Sequence, residues 1–186
     1  EGAVADHDRL LADPVPVDLA GEARHRIGAA AGGGRGAAGE AGGAARAIVV
    51  GLLEQGVPEV RIANRTQERA QALADAFGPR VKVVSWAERN EAMADVKLLV
   101  NTTTQGMHGQ PALDVRLDEL PADAMVSDAI YIPLETPLLA QARLRGHVTA
   151  NGLGMLLNQA VPAFEAWFGV RPEVTPELRA IVQATF

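Results

Sequence analysis

The chain has 186 residues, of which 48% are hydrophobic, and it carries a formal net charge of -6 at pH 7. This length and apolar content suffice to bury the core of one ordinary domain, while the acidic balance and scattered basic residues argue against a nucleic-acid-binding surface. The absence of cysteine excludes disulfides and thiolate chemistry, and no apolar run approaches the roughly 18 residues of a membrane span or forms a signal peptide, so we expect a cytoplasmic location.

The first part of the chain differs in composition from the rest. Residues 1–30 have weak helical character that Pro14-Val15-Pro16 interrupts, and residues 31–39 are almost wholly Ala and Gly, which predicts a linker. In many α/β folds a strand runs directly into the glycine turn that begins the first helix. Residues 37–39 contain no β-branched residue, so we expect that strand to be weak.

From residue 43 onward, short apolar strands alternate with helical segments. The predicted helices span residues 44–55, 67–77, 86–93, 152–168 and 175–185, and the predicted strands span 60–63, 81–84, 96–100 and 125–130. Thr66 can cap the helix that follows it, and Gly78-Pro79 can end that helix. The alternation predicts an α/β fold with a doubly wound parallel sheet over residues 40–150, followed by C-terminal helices over 151–186.

Glycines and arginines stand at positions typical of dinucleotide binding. Gly42 and Gly43 precede the first predicted helix, whose N-terminal amides would favour an anion. Arg65 follows the next strand, about 20 residues past the glycines, where dinucleotide enzymes carry an acidic residue for a ribose hydroxyl or Arg for a ribose phosphate. With Arg69 one helical turn further on, the sequence predicts NADP as the cofactor.

The last two predicted strands also end in distinctive loops, at residues 101–107 and 131–133. Ligands of doubly wound sheets bind beyond the carboxyl ends of the strands, so we expect the site at this edge. Asp95 and Asp128 could form an acid/base pair. For Asp128, however, a hydrogen-bonding role at the turn is the favoured interpretation.

Five motifs occur in a fixed order along the chain. They are AGGAARA (41–47), NRTQER (64–69), VNTTTQGM (100–107), SDAIYIPLETPLL (127–139) and NGLGMLLNQA (151–160). With these motifs the chain resembles the shikimate dehydrogenase family over roughly residues 40–186, and five ordered matches are far more specific than one glycine motif. The resemblance implies a Rossmann-like NADP-binding domain in an oxidoreductase of aromatic amino acid biosynthesis, which reduces 3-dehydroshikimate to shikimate with NADPH.

The resemblance also implies roles for individual residues. The pyrophosphate loop would comprise Ala41, Gly42, Gly43 and Ala44, and the pocket for the adenosine ribose phosphate Asn64, Arg65, Thr66 and Arg69. The nicotinamide side would be lined by Thr102, Ala129, Gly152 and Met155, and shikimate or 3-dehydroshikimate would be contacted by Tyr131 and Gln159. The implied partners are small molecules, with no nucleic acid and no membrane, and the protein would be a monomer or a homodimer.

The chain departs from the family pattern in two places. Glu40 stands where the family usually has glycine, and a carboxylate beside a pyrophosphate is repulsive. The family also uses a Lys and an Asp from an N-terminal substrate domain for proton transfer and substrate positioning, and no catalytic residue of this kind is identified in the chain. Residues 1–30 resemble part of that domain, so we expect a remnant of it, in a truncated or altered piece of a longer enzyme.

Three functions stay open on the sequence. The first is an NADP-dependent shikimate dehydrogenase, or the related quinate/shikimate dehydrogenase. The second is a catalytically silent NADP-binding fragment, which the missing Lys and Asp favour. The third is a scaffolding domain of the same fold without the ligand, which Glu40 favours.

The candidate residues have structural interpretations as well. Gly42-Gly43 could belong to the linker, and Arg65 and Arg69 could be solvated residues at a helix start. Tyr131 could be a half-buried core residue with a satisfied hydroxyl. Core or hydrogen-bonding roles are the alternatives for Met155 and Gln159.

The histidines do not form a metal site in the sequence pattern. They are His7, His25, His108 and His147. Because no two of them have ligand spacing, we expect a surface position for each.

Overall fold

The computed structural model of the protein describes residues 42–186 and the backbone of residues 26–30. Its strands are β1 (Arg26–Ala30), β2 (Val60–Ala63), β3 (Val81–Val84), β4 (Val96–Asn101), β5 (Met125–Asp128) and β6 (Thr149–Ala150). They form one six-stranded sheet in the order β3-β2-β1-β4-β5-β6, and all neighbouring strands are parallel. This is the strand order of the Rossmann-type doubly wound sheet, so the predicted fold class is confirmed.

The helices divide between two compact units. They are α1 (Gly43–Glu54), α2 (Gln67–Phe77), α3 (Pro137–Leu144), α4 (Leu153–Phe168) and α5 (Pro176–Gln183). The described residues up to Gly152, with the sheet and α1 to α3, form one unit, and residues from Leu153 onward belong to the second. Within the described ranges, none of the helices is both long enough and apolar enough to cross a membrane.

Helix α1 packs against the sheet because its apolar residues recur at helical spacing. Ala45, Val49 and Leu52 are buried on one side of the helix. They share a hydrophobic core with Val60 and Ile62 of β2, which point to the same face of the sheet. The helix predicted over 44–55 is confirmed, with its ends moved by one residue.

The segments β2, α2 and β3 have the bounds that the sequence predicts. Gly78 ends α2 with a φ of 82°, a left-handed conformation that glycine adopts without strain. Thr66 is the N-cap residue of α2, as expected, but its hydroxyl accepts no hydrogen bond from the helix. Local signals therefore suffice to fix this part of the chain.

Hydrophobic cores cover both faces of the sheet. Leu98 and Val100 of β4 belong to the core that contains α1. Leu99, which lies between them in sequence, belongs to a second core with Val126 of β5 and Leu138 of α3. Because successive strand residues point to opposite faces, β4 is buried on both sides and is apolar almost throughout.

The central strand β1 comes from a segment that the sequence analysis places in the N-terminal remnant. Its residues pair in parallel with β2 on one side and with β4 on the other. The segment contains a single β-branched residue, Ile27, so its place in the sheet follows from these pairings more than from its own propensity. Residues 1–25 and the predicted linker at 31–39 lie outside the described residues.

The predicted helix over residues 86–93 is wrong. The segment consists of turns and a short 3-10 helix at Glu91–Met93. Arg89 accounts for the difference, because its guanidinium donates to the Trp86 carbonyl and to the carbonyl and carboxylate of Asp114, each at 2.6 Å. The same guanidinium lies over the Trp86 ring, 4.5 Å from its centroid. These tertiary contacts override the helical propensity of the segment.

Helix α3 and strand β6 are not among the predicted elements. The start of α3 carries a local signal, because the Thr136 hydroxyl accepts a hydrogen bond from the Leu139 amide and Pro137 is the first helical residue. Strand β6 has two residues, too few for a periodic pattern. The start of α3 is therefore predictable from the sequence, whereas β6 is not.

The expected surface position is wrong for one histidine. His147 is buried, and its Nδ1 lies 3.0 Å from the carbonyl oxygen of Ala124. The surface position is confirmed for His108, which is exposed. His7 and His25 lie outside the described residues.

The second unit contains α4 and α5, close to the predicted ranges 152–168 and 175–185. The Thr175 hydroxyl caps α5 by accepting a hydrogen bond from the Leu178 amide at 3.2 Å. On α4, the rings of Phe164 and Phe168 lie 4.5 Å apart. Both C-terminal helices are therefore confirmed as elements.

Candidate functional site

The candidate residues of the first unit gather at one edge of the sheet. Because all strands are parallel, the segments that follow β2, β4, β5 and β6 leave from the same edge. Helix α1 runs back toward the start of β2, so its first turn lies at this edge as well. The topology thus collects residues that are far apart in sequence.

The first turn of α1 offers backbone amides to a ligand. Gly42 is the N-cap residue, and no described side chain caps the helix. Gly43 is exposed, and a Cβ added to it would meet nothing within 4 Å. The turn has no acidic residue, and the N–H groups at a helix N-terminus favour an anion. Ala44 is half-buried, and Ala41 lies outside the described residues.

The turn between β2 and α2 carries two arginines. Asn64 is buried, and its Oδ1 accepts a hydrogen bond from the Thr66 amide at 3.0 Å, which fixes the shape of the turn. Arg65 and Thr66 are exposed on this turn, and Arg69 is half-buried one helical turn further on. One exposed carboxylate, that of Glu68, also lies in the first turn of α2.

Arg65 and Arg69 make no ion pair or side-chain hydrogen bond with any residue in the described part of the chain. Arg61 of β2 differs, because it bonds Asp95 at 2.5 Å and Glu59 at 2.9 Å. The hydrogen bond to Asp95 raises the pKa of the Arg61 guanidinium further. Within the described ranges, two guanidinium groups beside the N-terminus of α2 thus have no carboxylate partner, and guanidinium groups are suited to bind phosphate.

The side chain of Asn101 shapes the loop that follows β4. Its Oδ1 accepts a hydrogen bond from the Thr103 amide at 2.9 Å, and its Nδ2 donates to the Gln105 carbonyl at 3.1 Å. The Thr103 hydroxyl accepts from the Gln105 amide at 2.9 Å. Thr102, the predicted cofactor contact, is buried within this loop. The loop is thus held by its own side chains in a defined conformation.

Asp128, at the end of β5, connects the loops after β4 and β5 with α3. Its Oδ1 accepts from Asn101 Nδ2 at 3.1 Å and from the Ile130 amide at 3.0 Å, and its Oδ2 accepts from the Thr136 hydroxyl at 2.7 Å. We call Asn101, Asp128 and Thr136 the Asp128 network. Burial raises the pKa of Asp128, and the hydrogen bonds from Thr136, Ile130 and Asn101 oppose that rise.

The favoured interpretation of Asp128 as a hydrogen-bonding residue at the turn is confirmed. An acid/base pair with Asp95 does not form. Asp95 precedes β4 and pairs with Arg61, whereas Asp128 ends β5, so the two carboxylates lie at opposite edges of the parallel sheet.

The loops after β5 and β6 meet at Gly152. Its amide donates to the Ile130 carbonyl at 2.8 Å, and a Cβ added to Gly152 would lie 2.9 Å from the carbonyl carbon of Ile130 and closer still to the Ala129 carbonyl. The Ala129 amide in turn donates to the Asn101 carbonyl at 2.9 Å. Ala129 therefore lies between Gly152 and the loop that contains Thr102.

The remaining candidates are placed individually. Tyr131 is half-buried and lies in the loop after β5, three positions beyond Asp128. Met155 and Gln159 lie on α4 in the second unit, where Met155 is half-buried and Gln159 is exposed. The described candidates of the first unit thus lie at one edge of the sheet, whereas Met155 and Gln159 belong to the second unit.

Two residues of the Asp128 network have no assigned role in the sequence analysis. Asn101 had a recognisable signal, since Asn at a strand end often bonds the backbone two residues on. Thr136 had one as well, because Thr directly before Pro is typical of a helix start. Their link to Asp128 depends on tertiary distances and has no sequence signal.

Two known families match parts of the chain. Residues 38–114 match the family described as shikimate / quinate 5-dehydrogenase. Residues 152–180 match the shikimate 5'-dehydrogenase C-terminal domain. The two matches follow each other in the chain and include the candidate loops after β2 and β4.

Curated relatives extend the similarity. A protein of Rhodopseudomonas palustris (strain BisB5) named shikimate dehydrogenase (NADP(+)) is 60% identical over 144 residues, which cover 77% of this chain and 51% of that protein. A protein of Dinoroseobacter shibae (strain DSM 16493 / NCIMB 14021 / DFL 12) with the same name is 59% identical over 144 residues, covering 77% and 52%. The chain spans about half the length of the curated relatives it matches.

Solved structures share the fold. Quinate dehydrogenase from Corynebacterium glutamicum in complex with NAD is 30% identical with a TM-score of 0.75, covering 86% of this chain and 55% of that chain. Shikimate 5-dehydrogenase from Thermus thermophilus in complex with NADP(H) and shikimate is 31% identical with a TM-score of 0.68, covering 88% and 56%. Both similarities extend over most of the described residues.

Proposed function

We propose, from the premise that the chain belongs to the shikimate dehydrogenase family, that it is the cofactor-binding portion of an NADP-dependent shikimate dehydrogenase. The reaction would be the reversible reduction of 3-dehydroshikimate to shikimate. The observation that carries the proposal is the pair of guanidinium groups of Arg65 and Arg69, which have no partner among the described residues and stand beside a helix N-terminus. Such a pair suits the phosphate that distinguishes NADP from NAD.

The residues of the first unit fit the cofactor. The backbone amides in the first turn of α1 suit the pyrophosphate, which Ala41, Gly42, Gly43 and Ala44 would hold. Asn64, Arg65, Thr66 and Arg69 would bind the ribose phosphate, and Thr102, Ala129, Gly152 and Met155 would line the nicotinamide side. When bound, NADP supplies the hydride chemistry, and the protein holds and orients the cofactor.

Tyr131 and Gln159 are the proposed contacts to the substrate carboxylate and hydroxyls. No residue in the described ranges is assigned to proton transfer. Asp128 is unsuited to it, because it is buried and both of its oxygens accept hydrogen bonds from protein groups. The protein would be cytoplasmic, and its oligomeric state would be monomer or homodimer.

Quinate is the alternative substrate of the same class. It is favoured by the similarity to the Corynebacterium glutamicum quinate dehydrogenase, whose structure contains NAD. Arg65 favours NADP over NAD, because a guanidinium at this position accommodates a phosphate in place of the ribose hydroxyl. The preference for NADPH or NADH is therefore a useful first measurement to distinguish the shikimate function from the quinate function.

Titration of the purified protein with NADPH and NADH, followed by nicotinamide fluorescence, tests the proposal. We expect NADPH to bind more tightly than NADH, and tighter NADH binding would contradict the assignment of Arg65. An absorbance assay of shikimate and quinate oxidation then distinguishes the functions. Binding without turnover would favour the cofactor-binding fragment, and no binding of either cofactor would favour a scaffolding domain.

A further inference from the structure

We propose that Asp128 is a positioning residue, which through the Asp128 network sets the distance between the two loops that would hold the nicotinamide half of the cofactor. These loops are residues 102–106 and residues 129–131. The inference rests on the proposed function and concerns the same site. It assigns Asp128 no contact with cofactor or substrate.

The Asp128 network connects the two loops through hydrogen bonds. Asn101 Nδ2 donates both to the Gln105 carbonyl and to Asp128 Oδ1, each at 3.1 Å, so one amide group joins the loop after β4 to β5. On the other side, Asp128 Oδ1 accepts from the Ile130 amide at 3.0 Å. A single carboxylate oxygen therefore fixes both loops relative to each other.

The three side chains of the Asp128 network are buried. Asn101 and Thr136 are 0% exposed and Asp128 is 1% exposed, so water cannot replace a lost partner without rearrangement. Buried polar networks of this kind are rigid when every member is satisfied, and removing one member leaves the others unpaired. The network is thus suited to hold a fixed geometry.

The start of helix α3 holds the Asp128 carboxylate in place. The Thr136 hydroxyl donates to Asp128 Oδ2 at 2.7 Å and accepts from the Leu139 amide at 3.3 Å. Asp128 is therefore oriented by a residue that is itself anchored at the start of a helix. A rotation of the carboxylate would break bonds to both loops and to α3 together.

Strand β1 separates the arginines from the Asp128 network, because it lies between β2, which leads to Arg65, and β4, which leads to Thr102. Two strand spacings amount to about 10 Å, and the hydrogen bonds that join Asn101, Asp128 and Thr136 do not include either arginine. Disturbing the Asp128 network should therefore affect the nicotinamide half and spare the phosphate half.

The test compares two probes on three variants of the protein. NADPH contains both halves of the cofactor, and adenosine 2′,5′-bisphosphate contains only the phosphate half. Thr136→Val removes the hydroxyl and keeps the side-chain shape, Thr136→Ser restores the hydroxyl, and Asp128→Ala removes the carboxylate. Dissociation constants are measured by titration, and the fluorescence of bound NADPH reports the environment of its nicotinamide.

We expect Thr136→Val and Asp128→Ala to weaken NADPH binding about tenfold, with altered nicotinamide fluorescence, while binding of adenosine 2′,5′-bisphosphate changes less than about twofold. Thr136→Ser should bind both probes like the parent protein. Should Asp128→Ala fail to fold, the Thr136 pair decides the question by itself.

Equal weakening of both probes by Thr136→Val would overturn the inference, because it would indicate general destabilisation. Unchanged NADPH binding and fluorescence would overturn it as well. If the parent protein binds neither probe, the proposed function itself fails, and the inference falls with it. If the parent binds both probes, the proposed cofactor binding stands, and the variants alone decide whether Asp128 is a positioning residue.

Discussion

The amide of Gly152 donates a hydrogen bond of 2.8 Å to the carbonyl oxygen of Ile130, across the ends of strands β6 and β5. This close approach of the two backbones is possible because Gly152 lacks a Cβ atom. A Cβ at this position would overlap the backbone of Ala129 and Ile130. We predict that Gly152→Ala lowers the free energy of unfolding by about 1 to 3 kcal/mol and weakens NADPH binding. Urea denaturation and NADPH titration measure the two effects.

Gly154→Ala is the matched control. A Cβ at Gly154 would lie 3.6 Å from Arg179 Nη1, an ordinary contact, and the residue is helical. We expect stability to stay the same or to rise by up to about 1 kcal/mol. Equal losses for both alanine variants would contradict the steric explanation.

We predict that Arg65→Ala weakens NADPH binding by about 1 to 3 kcal/mol and leaves NADH binding nearly unchanged, because the lost interaction is a charge-assisted bond to the phosphate. Titration with both cofactors measures the difference. Arg145→Ala serves as the control, since Arg145 is exposed and pairs with Asp118 away from the site. The assignment fails if Arg65→Ala weakens both cofactors equally.

We predict that Gln105→Met raises the free energy of unfolding by about 1 kcal/mol or more. The Oε1 atom of Gln105 is buried and accepts no hydrogen bond from any described group, and an unsatisfied buried acceptor is destabilising. Methionine has a similar length and no such acceptor. Urea denaturation measures the change, with exposed Gln110→Met as the control. A decrease would show that the oxygen has a partner in solution.

We predict that Asp128→Asn becomes more stable relative to the parent protein as the pH rises. Burial raises the pKa of Asp128 above its ordinary 3.8, so the folded state binds the proton more tightly than the unfolded state does. The favourable contribution of the carboxyl group is complete below its ordinary pKa and is lost as the pH rises through the folded-state pKa. Asparagine cannot ionise and keeps an acceptor for Asn101 and Ile130.

Urea denaturation at several pH values between about 4 and 7 tests this linkage. Asp118→Asn, at an exposed ion pair with Arg145, is the control for charge removal alone. A stability difference between Asp128→Asn and the parent that does not vary with pH would show that the carboxyl pKa is not raised.

We predict that Tyr131→Phe raises the Michaelis constant for shikimate or lowers turnover without changing cofactor affinity, because only the hydroxyl is removed from the proposed substrate contact. The shikimate oxidation assay and NADPH titration provide the two measurements. A loss of NADPH affinity would instead place Tyr131 at the cofactor.

The parts of the fold that were predictable are those with local signals. The bounds of β2, α2 and β3 follow from β-branched residues, from Thr66 and from Gly78 with its positive φ. Strand β1 was not predictable, because its five residues have little strand propensity and gain their place by pairing with β2 and β4. The helix expected at 86–93 fails for the same kind of reason, since Arg89 bonds Asp114, 25 positions away.

In the candidate site, too, only the features with local sequence signals were predictable. The hydrogen-bonding role of Asp128 was predictable, because an aspartate at the end of a strand commonly bonds nearby backbone amides. Its bonds to Asn101 and Thr136 were not, because they depend on how neighbouring strands and α3 pack. The sequence alone therefore indicates which residues lie at the edge of the sheet. It does not indicate the hydrogen bonds that join them.

The arginines of the candidate site belong to one uninterrupted stretch, β2 with its turn and α2, whose bounds the sequence determines locally. On the proposed role of Arg65 and Arg69, substitutions within this one segment would change the coenzyme preference and leave the loops proposed to contact the substrate unaltered. In evolution or in protein engineering, NADP could be exchanged for NAD by changes here, while the other residues of the proposed site stay the same.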